Sequence, residues 1–117
     1  WEAAMYAAHH HLDHLIAFVD NNGLQIDGKI TDVMSSLPIE DKFKAFGWHV
    51  ISADGHNMLE LHESIAEAET VKGKPSIIVM KTIKGKGVPE IENKVEWHGK
   101  APSKEEAERF IKALEAQ

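Results

Sequence analysis

Leu15-Ile16-Ala17-Phe18-Val19-Asp20-Asn21-Asn22-Gly23-Leu24-Gln25-Ile26-Asp27-Gly28 joins an apolar run to a polar, glycine-punctuated turn. The five apolar residues Leu15 to Val19 are too few for a helix of ordinary length and read as a strand buried on both faces, as in parallel sheets. Asp20, Asn21 and Asn22 then fall at its C-terminal end, the edge at which open α/β sheets bind ligands, and Gly23 lets the backbone turn there without steric penalty. Oxygen-bearing side chains at such an edge suit a hard cation. The same residues also end strands by making ordinary turns, and composition alone leaves both readings open.

Working outward, the chain alternates helical and extended segments. Residues 1 to 12 read as a helix through Ala3, Ala4, Ala7 and Ala8, with nothing ahead of Trp1 to cap it, so the chain is expected to start inside an element. After Gly28, residues 29 to 37 read as irregular. Pro38 opens a short helix with Ile39, Phe43 and Phe46 on one face, closed by Gly47. Trp48 to Ala53 reads as a second strand, and Asn57 caps a helix running to about Val71 with Leu61, Ile65 and Ala68 inward. Ile77 to Met80 is a third buried strand. This order implies right-handed crossovers and a parallel sheet. Three strands make a thin sheet whose edges need covering, which leads us to expect missing sequence or a partner subunit. At the far end, Pro102-Ser103 announces a helix with a Ser103/Glu106 capping box and an apolar face of Ala107, Phe110, Ile111 and Leu114.

The 117 residues fit one domain, residues 1–117, with room for one modest core. Thirteen Lys and Arg against nineteen Asp and Glu give a net charge of −6, which argues against a nucleic-acid partner. The absence of cysteine rules out disulfides, thiolate metal sites and a Cys nucleophile, and fits a reducing compartment. No apolar run approaches a bilayer span and no signal peptide opens the chain, so a cytoplasmic protein without membrane association is expected.

Three other stretches carry candidate chemistry. His9, His10, His11 and His14 cluster, and His10 and His14 stand four apart, a spacing that on a helix can bind zinc. A third ligand would have to come from elsewhere and the strand starts at Leu15, which argues against a zinc site. Lys81-Thr82-Ile83-Lys84-Gly85-Lys86-Gly87 is basic and glycine-rich but lacks the Walker order of Gly, Lys and Ser/Thr. It reads as a solvated loop or as an anion site. Val88 to Val95 has no clear period and reads as a loop able to close over a ligand, ending in Trp97-His98-Gly99. His56, in Asp54-Gly55-His56, reads as structural.

The segment from Val19 to Gly28 closely resembles the second half of the thiamine-diphosphate motif as transketolases carry it. Trp1-Glu2-Ala3-Ala4-Met5, Asp54-Gly55-His56, the Lys81 to Gly87 loop and Trp97-His98-Gly99-Lys100 match that family in order and spacing. The resemblance implies an α/β three-layer sandwich with a mostly parallel sheet, the truncated later part of the family's thiamine-diphosphate-binding (PP-type) domain. It implies thiamine diphosphate and Mg2+ as cofactors, with Ca2+ or Mn2+ as substitutes. Asn22 would give the metal a side-chain oxygen and Leu24 a backbone carbonyl, while Asn22, Ile26, Lys84 and His98 would hold the cofactor. His98 is the residue expected to act chemically.

The family's Gly-Asp-Gly loop, which brings another metal ligand, has no counterpart here. Neither has the Glu that activates the aminopyrimidine, which usually lies in another domain of the opposite subunit. The expected activity is transfer of a two-carbon ketol unit between ketose and aldose phosphates, in a dimeric enzyme of the pentose phosphate pathway. Sugar phosphates and a second subunit or chain carrying the pyrimidine-binding domain are the expected partners, and this chain is not expected to turn over alone. The alternatives are a ligand-free α/β remnant and a subunit of a split thiamine-dependent enzyme.

Overall fold

A computed structural model describes residues 1–116, which form two compact units: Trp1–Asn21 with Ser36–Thr82, and Asn22–Ser35 with the chain from Ile83 onward. The first unit contains α1 (Glu2–His9), β1 (Ile16–Asn21), α3 (Ile39–Ala45), β4 (His49–Asp54), α4 (Met58–Thr70) and β5 (Ser76–Lys81). The second contains β2 (Leu24–Gln25), β3 (Gly28–Lys29), α2 (Ile30–Val33), a single 3-10 turn over Val95–Trp97, and α5 (Lys104–Glu115).

In the first unit β5 lies between β1 and β4, and both pairings are parallel, with Val79 opposite Val19 on one side and Ser52 on the other. The unbroken apolar run of β5 belongs in this central position, because side chains point alternately to two faces that are both covered. Ile77 and Val79 pack with Ala4 and Ala7 of α1, Ile39 of α3 and Trp48. Ile78 packs on the other face with Ile51 and Ala53 of β4 and Ala68 of α4. Helices on both sides of a parallel sheet make three layers, as expected. The first layer is pinned by Trp48, whose indole Nε1 donates to the Ala4 carbonyl at 2.9 Å and whose ring meets Phe43 edge-on. Asn57 caps α4, its Oδ1 accepting from the backbone N–H groups of Leu59 and Glu60.

Several expectations need correction. β1 is not buried on both faces: it is an edge strand, and Phe18 is 49% exposed. An apolar run reports that a strand is hydrophobic and cannot report how many neighbours it has. The first helix stops at His9, so His10 and His14 do not share a helical face. His11 turns back instead, its Nδ1 2.8 Å from the Gly73 carbonyl, while Asp13 accepts from the Gly73 N–H. Residues 29 to 37 are not irregular throughout, since they hold the end of β3 and all of α2. Ile65 on α4 and Ile111 and Leu114 on α5 are exposed, so neither helix buries the whole face expected of it. Among the described residues, no helix is long and apolar enough to cross a membrane.

Candidate functional site

The second unit begins where the chain leaves β1. Asn22 bends it at once: its side-chain Oδ1 accepts the Leu24 N–H at 2.9 Å, closing a small Asx turn. Gly23 sits in that turn at φ 74°, a left-handed conformation that strains a residue bearing a Cβ. Its carbonyl then accepts the Ile30 N–H at 3.0 Å. Between these bonds the chain makes a small hairpin. Leu24 of β2 pairs with Lys29 of β3 and Gln25 with Gly28, leaving Ile26 and Asp27 as its two-residue tip. The Gln25 amide donates to the Met34 carbonyl and ties the hairpin to the end of α2.

Lys84 comes from the second segment of this unit, a loop closed on itself from Ile83 to Lys94. The Lys84 carbonyl accepts the Asn93 N–H at 3.0 Å, and Gly87 donates to the Glu92 carboxylate at 3.0 Å. Gly85 has φ 71° and packs so closely on Ile91 that an added Cβ would lie 2.8 Å from its side chain. Further bonds from Val88 to Gly85 and from Ile91 to Val88 complete the closure. Val88 to Val95, expected as a loop, is a loop here, compact and internally hydrogen-bonded.

His98 follows the Val95–Trp97 turn, and its N–H donates to the Val95 carbonyl at 2.9 Å. Its neighbour Trp97 rests edge-on against Phe110 of α5, with ring centroids 5.6 Å apart. The helix start is fixed by the expected capping box between Ser103 and Glu106. Arg109 holds Glu90 through two contacts, Nε to Oε1 at 3.4 Å and Nη2 to Oε2 at 3.1 Å. That guanidinium keeps the Glu90 carboxyl below its usual range, and the Ser103 N–H does the same for Glu106.

These three segments line an open pocket of about 380 Å³. Asn22, Leu24, Ile26, Lys84 and His98 all line it, so the five residues that the resemblance assigns to the metal and cofactor come together, whereas Asp20, Asn21 and the histidine cluster do not line it. Gln25 and Asp27 line it too and were missed. Their positions in the hairpin were readable only with the turn geometry in hand, because strands of two residues carry no periodicity. Asn22 and Ile26 differ in kind: Asn22 is half-buried by its own turn, whereas Ile26 at the tip is 65% exposed.

The donor set is open to a direct test against a metal-bound diphosphate. Asn22 Oδ1 accepts one N–H and, as a carbonyl-type oxygen, keeps a second lone pair. It and the Leu24 carbonyl are hard, neutral oxygens of the class Mg2+ selects. Two such donors fall well short of an octahedral shell, and among the described residues no group of three or more His, Asp or Glu is placed to hold an ion. The residues therefore fit a cation that arrives with phosphate oxygens and water, and do not fit an all-protein cage. Lys84 brings a cation to the pocket lining and Asp27 a carboxylate.

Residues 1–116 match the family model for the thiamine diphosphate binding domain of transketolase. A 6-deoxy-6-sulfo-D-fructose transketolase subunit from Clostridium sp. (strain MSTE9) is 45% identical over 117 residues, all of this chain and 42% of that protein. An apulose-4-phosphate transketolase subunit from Actinobacillus succinogenes is 36% identical over 97% of this chain and 41% of its own length. Among solved structures, transketolase from Campylobacter jejuni superposes with a TM-score of 0.73 at 27% identity, covering 97% of this chain and 21% of that one. The chain thus spans about two-fifths of the subunit relatives and about a fifth of the longer enzymes. With its three-layer parallel sheet and a family model that spans residues 1–116, the chain belongs to the transketolase family, in its thiamine diphosphate-binding domain.

Proposed function

We propose that this chain supplies the diphosphate- and metal-binding part of a transketolase that moves a two-carbon ketol unit from a ketose to an aldose phosphate. The gathering of Asn22, Leu24, Ile26, Lys84 and His98 around one pocket carries this reading. Thiamine diphosphate, when bound, supplies the carbon nucleophile that the twenty ordinary side chains lack. The protein's own part is to anchor and orient it. Asn22 Oδ1 and the Leu24 carbonyl hold Mg2+, with Ca2+ or Mn2+ able to substitute in the same oxygen shell. Lys84 offsets the remaining phosphate charge, and exposed Ile26 offers an apolar surface to the cofactor's uncharged part. His98 donates hydrogen bonds to the diphosphate and to oxygens that gain negative charge as the reaction proceeds.

The domain works with a second polypeptide segment that carries the pyrimidine-binding half and the activating Glu. The subunit names of two relatives, each about two and a half times the length of the matched region, favour a split enzyme in which that half is a separate chain. Those names add a sulfonated sugar, 6-deoxy-6-sulfo-D-fructose, and apulose-4-phosphate to the candidate substrates. We place the enzyme in the cytoplasm, on the reducing environment that a cysteine-free chain fits.

A coupled spectrophotometric assay with xylulose 5-phosphate and ribose 5-phosphate, repeated with 6-deoxy-6-sulfofructose as donor, tests the reading. The chain alone is expected to be inactive and the chain with its partner half active, with His98→Ala reducing kcat at least tenfold. Turnover by the chain alone would refute the division of labour, and an active His98→Ala complex would refute the role of that residue.

A further inference from the structure

We infer that Trp97 is a positioning residue: held by Phe110 and Lys100, it sets where His98 sits in the pocket, an inference that rests on the reading of His98 above. His98 is exposed and hangs from one short 3-10 turn, so little around its own ring limits where it can go. The constraint comes from the preceding residue. The Trp97 indole packs edge-on to Phe110, which is only 8% exposed and is the one buried residue of α5. The Lys100 ammonium lies 4.0 Å from the centroid of the same indole, a cation–π contact at close range.

Lys100 is itself held. Its Nζ is 3.8 Å from Glu106 Oε1, while the other oxygen of Glu106 accepts the Ser103 N–H at 2.8 Å in the capping box. Arg109 anchors the same helix to Glu90 on the loop that leads away from Lys84. None of the α5 residues lines the pocket. The helix nevertheless grips both neighbours of the His98-Gly99 pair, Trp97 before it and Lys100 after it. Aromatic and cationic contacts on each side of a two-residue tip restrict its backbone, and a misplacement of about 1 Å at a reacting centre is enough to cost a large factor in rate.

The test reads His98 directly and then reads its consequence. In the full chain labelled with 13C at histidine ε1, the His98 signal is assigned by its loss in His98→Gln. Trp97→Leu is expected to shift and broaden that signal and to weaken binding of magnesium pyrophosphate, followed by calorimetry, by about tenfold. Trp97→Phe, which keeps a ring against Phe110, restores both. Lys100→Met, an exposed change that leaves the ring pair alone, moves the signal in the same direction by less and serves if Trp97→Leu fails to fold.

An unmoved His98 signal in Trp97→Leu and Lys100→Met would overturn the inference. So would a Trp97→Leu binding loss that persists at full size in a His98→Ala background, because Trp97 would then act by another route. If His98→Ala alone leaves pyrophosphate binding intact, the proposed role of His98 at the diphosphate fails, while its resonance still decides whether Trp97 positions it.

Discussion

A methyl group on Gly85 would open the loop that presents Lys84. Gly85 has φ 71°, and its Cβ would stand 2.8 Å from Ile91 Cγ1 and 3.0 Å from the Ile91 carbonyl oxygen. The left-handed backbone costs an L-residue roughly 1–2 kcal/mol. Forcing a methyl into packed atoms, one of them backbone, costs about 1–3 kcal/mol more. The sum of about 2–5 kcal/mol corresponds to a rise in local opening of roughly 30-fold to several thousand-fold, at tenfold per 1.4 kcal/mol. Gly23→Ala is the control, since φ is 74° there but nothing lies within 4 Å of the added carbon. It bears strain alone, about 1–2 kcal/mol, or roughly 5- to 30-fold.

Amide hydrogen exchange reads both variants. In Gly85→Ala the Asn93 amide, which donates to Lys84, and the Gly87 amide, which donates to Glu92, should exchange faster, up to the rate of an unprotected amide. The amides of β5 should be unchanged. Equal effects from Gly23→Ala and Gly85→Ala, or unchanged exchange at Asn93, would refute the close packing of Gly85 on Ile91.

Two further outcomes follow from the fold and its charges. Ile78 is 0% exposed in the central strand, so Ile78→Ala should lower the unfolding free energy by about 2–5 kcal/mol in urea titration, and a loss under about 1 kcal/mol would contradict its place in the core. Glu90, Glu106 and Asp13 all have carboxyls held below their usual range, by the Arg109 guanidinium, the Ser103 N–H and the Gly73 N–H respectively. Depressed folded-state values mean that their stabilisation is present above the unfolded carboxylate range and is lost as pH falls through the folded values, below roughly pH 4. Urea midpoints should therefore decline across that acid window, more shallowly in Glu90→Gln; midpoints that rise on acidification would contradict the pairing.

How far the sequence could be read depended on the range of each interaction. The buried run of Ile77 to Val79, the Asn57 cap and the Ser103/Glu106 box were legible because each is a local pattern of a few residues. Phe18 was misread because hydrophobicity along β1 carries no record of whether one strand or two lie beside it. The His9 stop of α1 was missed because the histidines that follow are neutral towards helix formation, and His11 adopts φ 52° against that default.

At the site, the turn at a strand end was enough to draw attention to Asp20, Asn21 and Asn22, whereas Leu24 and Ile26, though within five residues of Asn22, were singled out only by likeness to a known family. Lys84 and His98 could not be joined to them by spacing, since 62 and 76 positions separate them from Asn22, and only their likeness to a known family did so. Asp27 and Gln25 were overlooked although adjacent to chosen residues, because the hairpin that turns them into the pocket is held by single hydrogen bonds. The clamp around Trp97 depends on Phe110, thirteen residues on and across a turn, which no short-range rule connects.

The central claim is that Asn22, Leu24 and Lys84 hold a metal-bound diphosphate. Calorimetric titration of thiamine diphosphate into the protein with Mg2+, and again with excess EDTA, measures it most directly. The account predicts saturable binding that requires the divalent ion and weakens at least tenfold in Asn22→Ala and in Lys84→Ala. Binding that is absent with Mg2+, or that is unchanged by EDTA and by both substitutions, would contradict it.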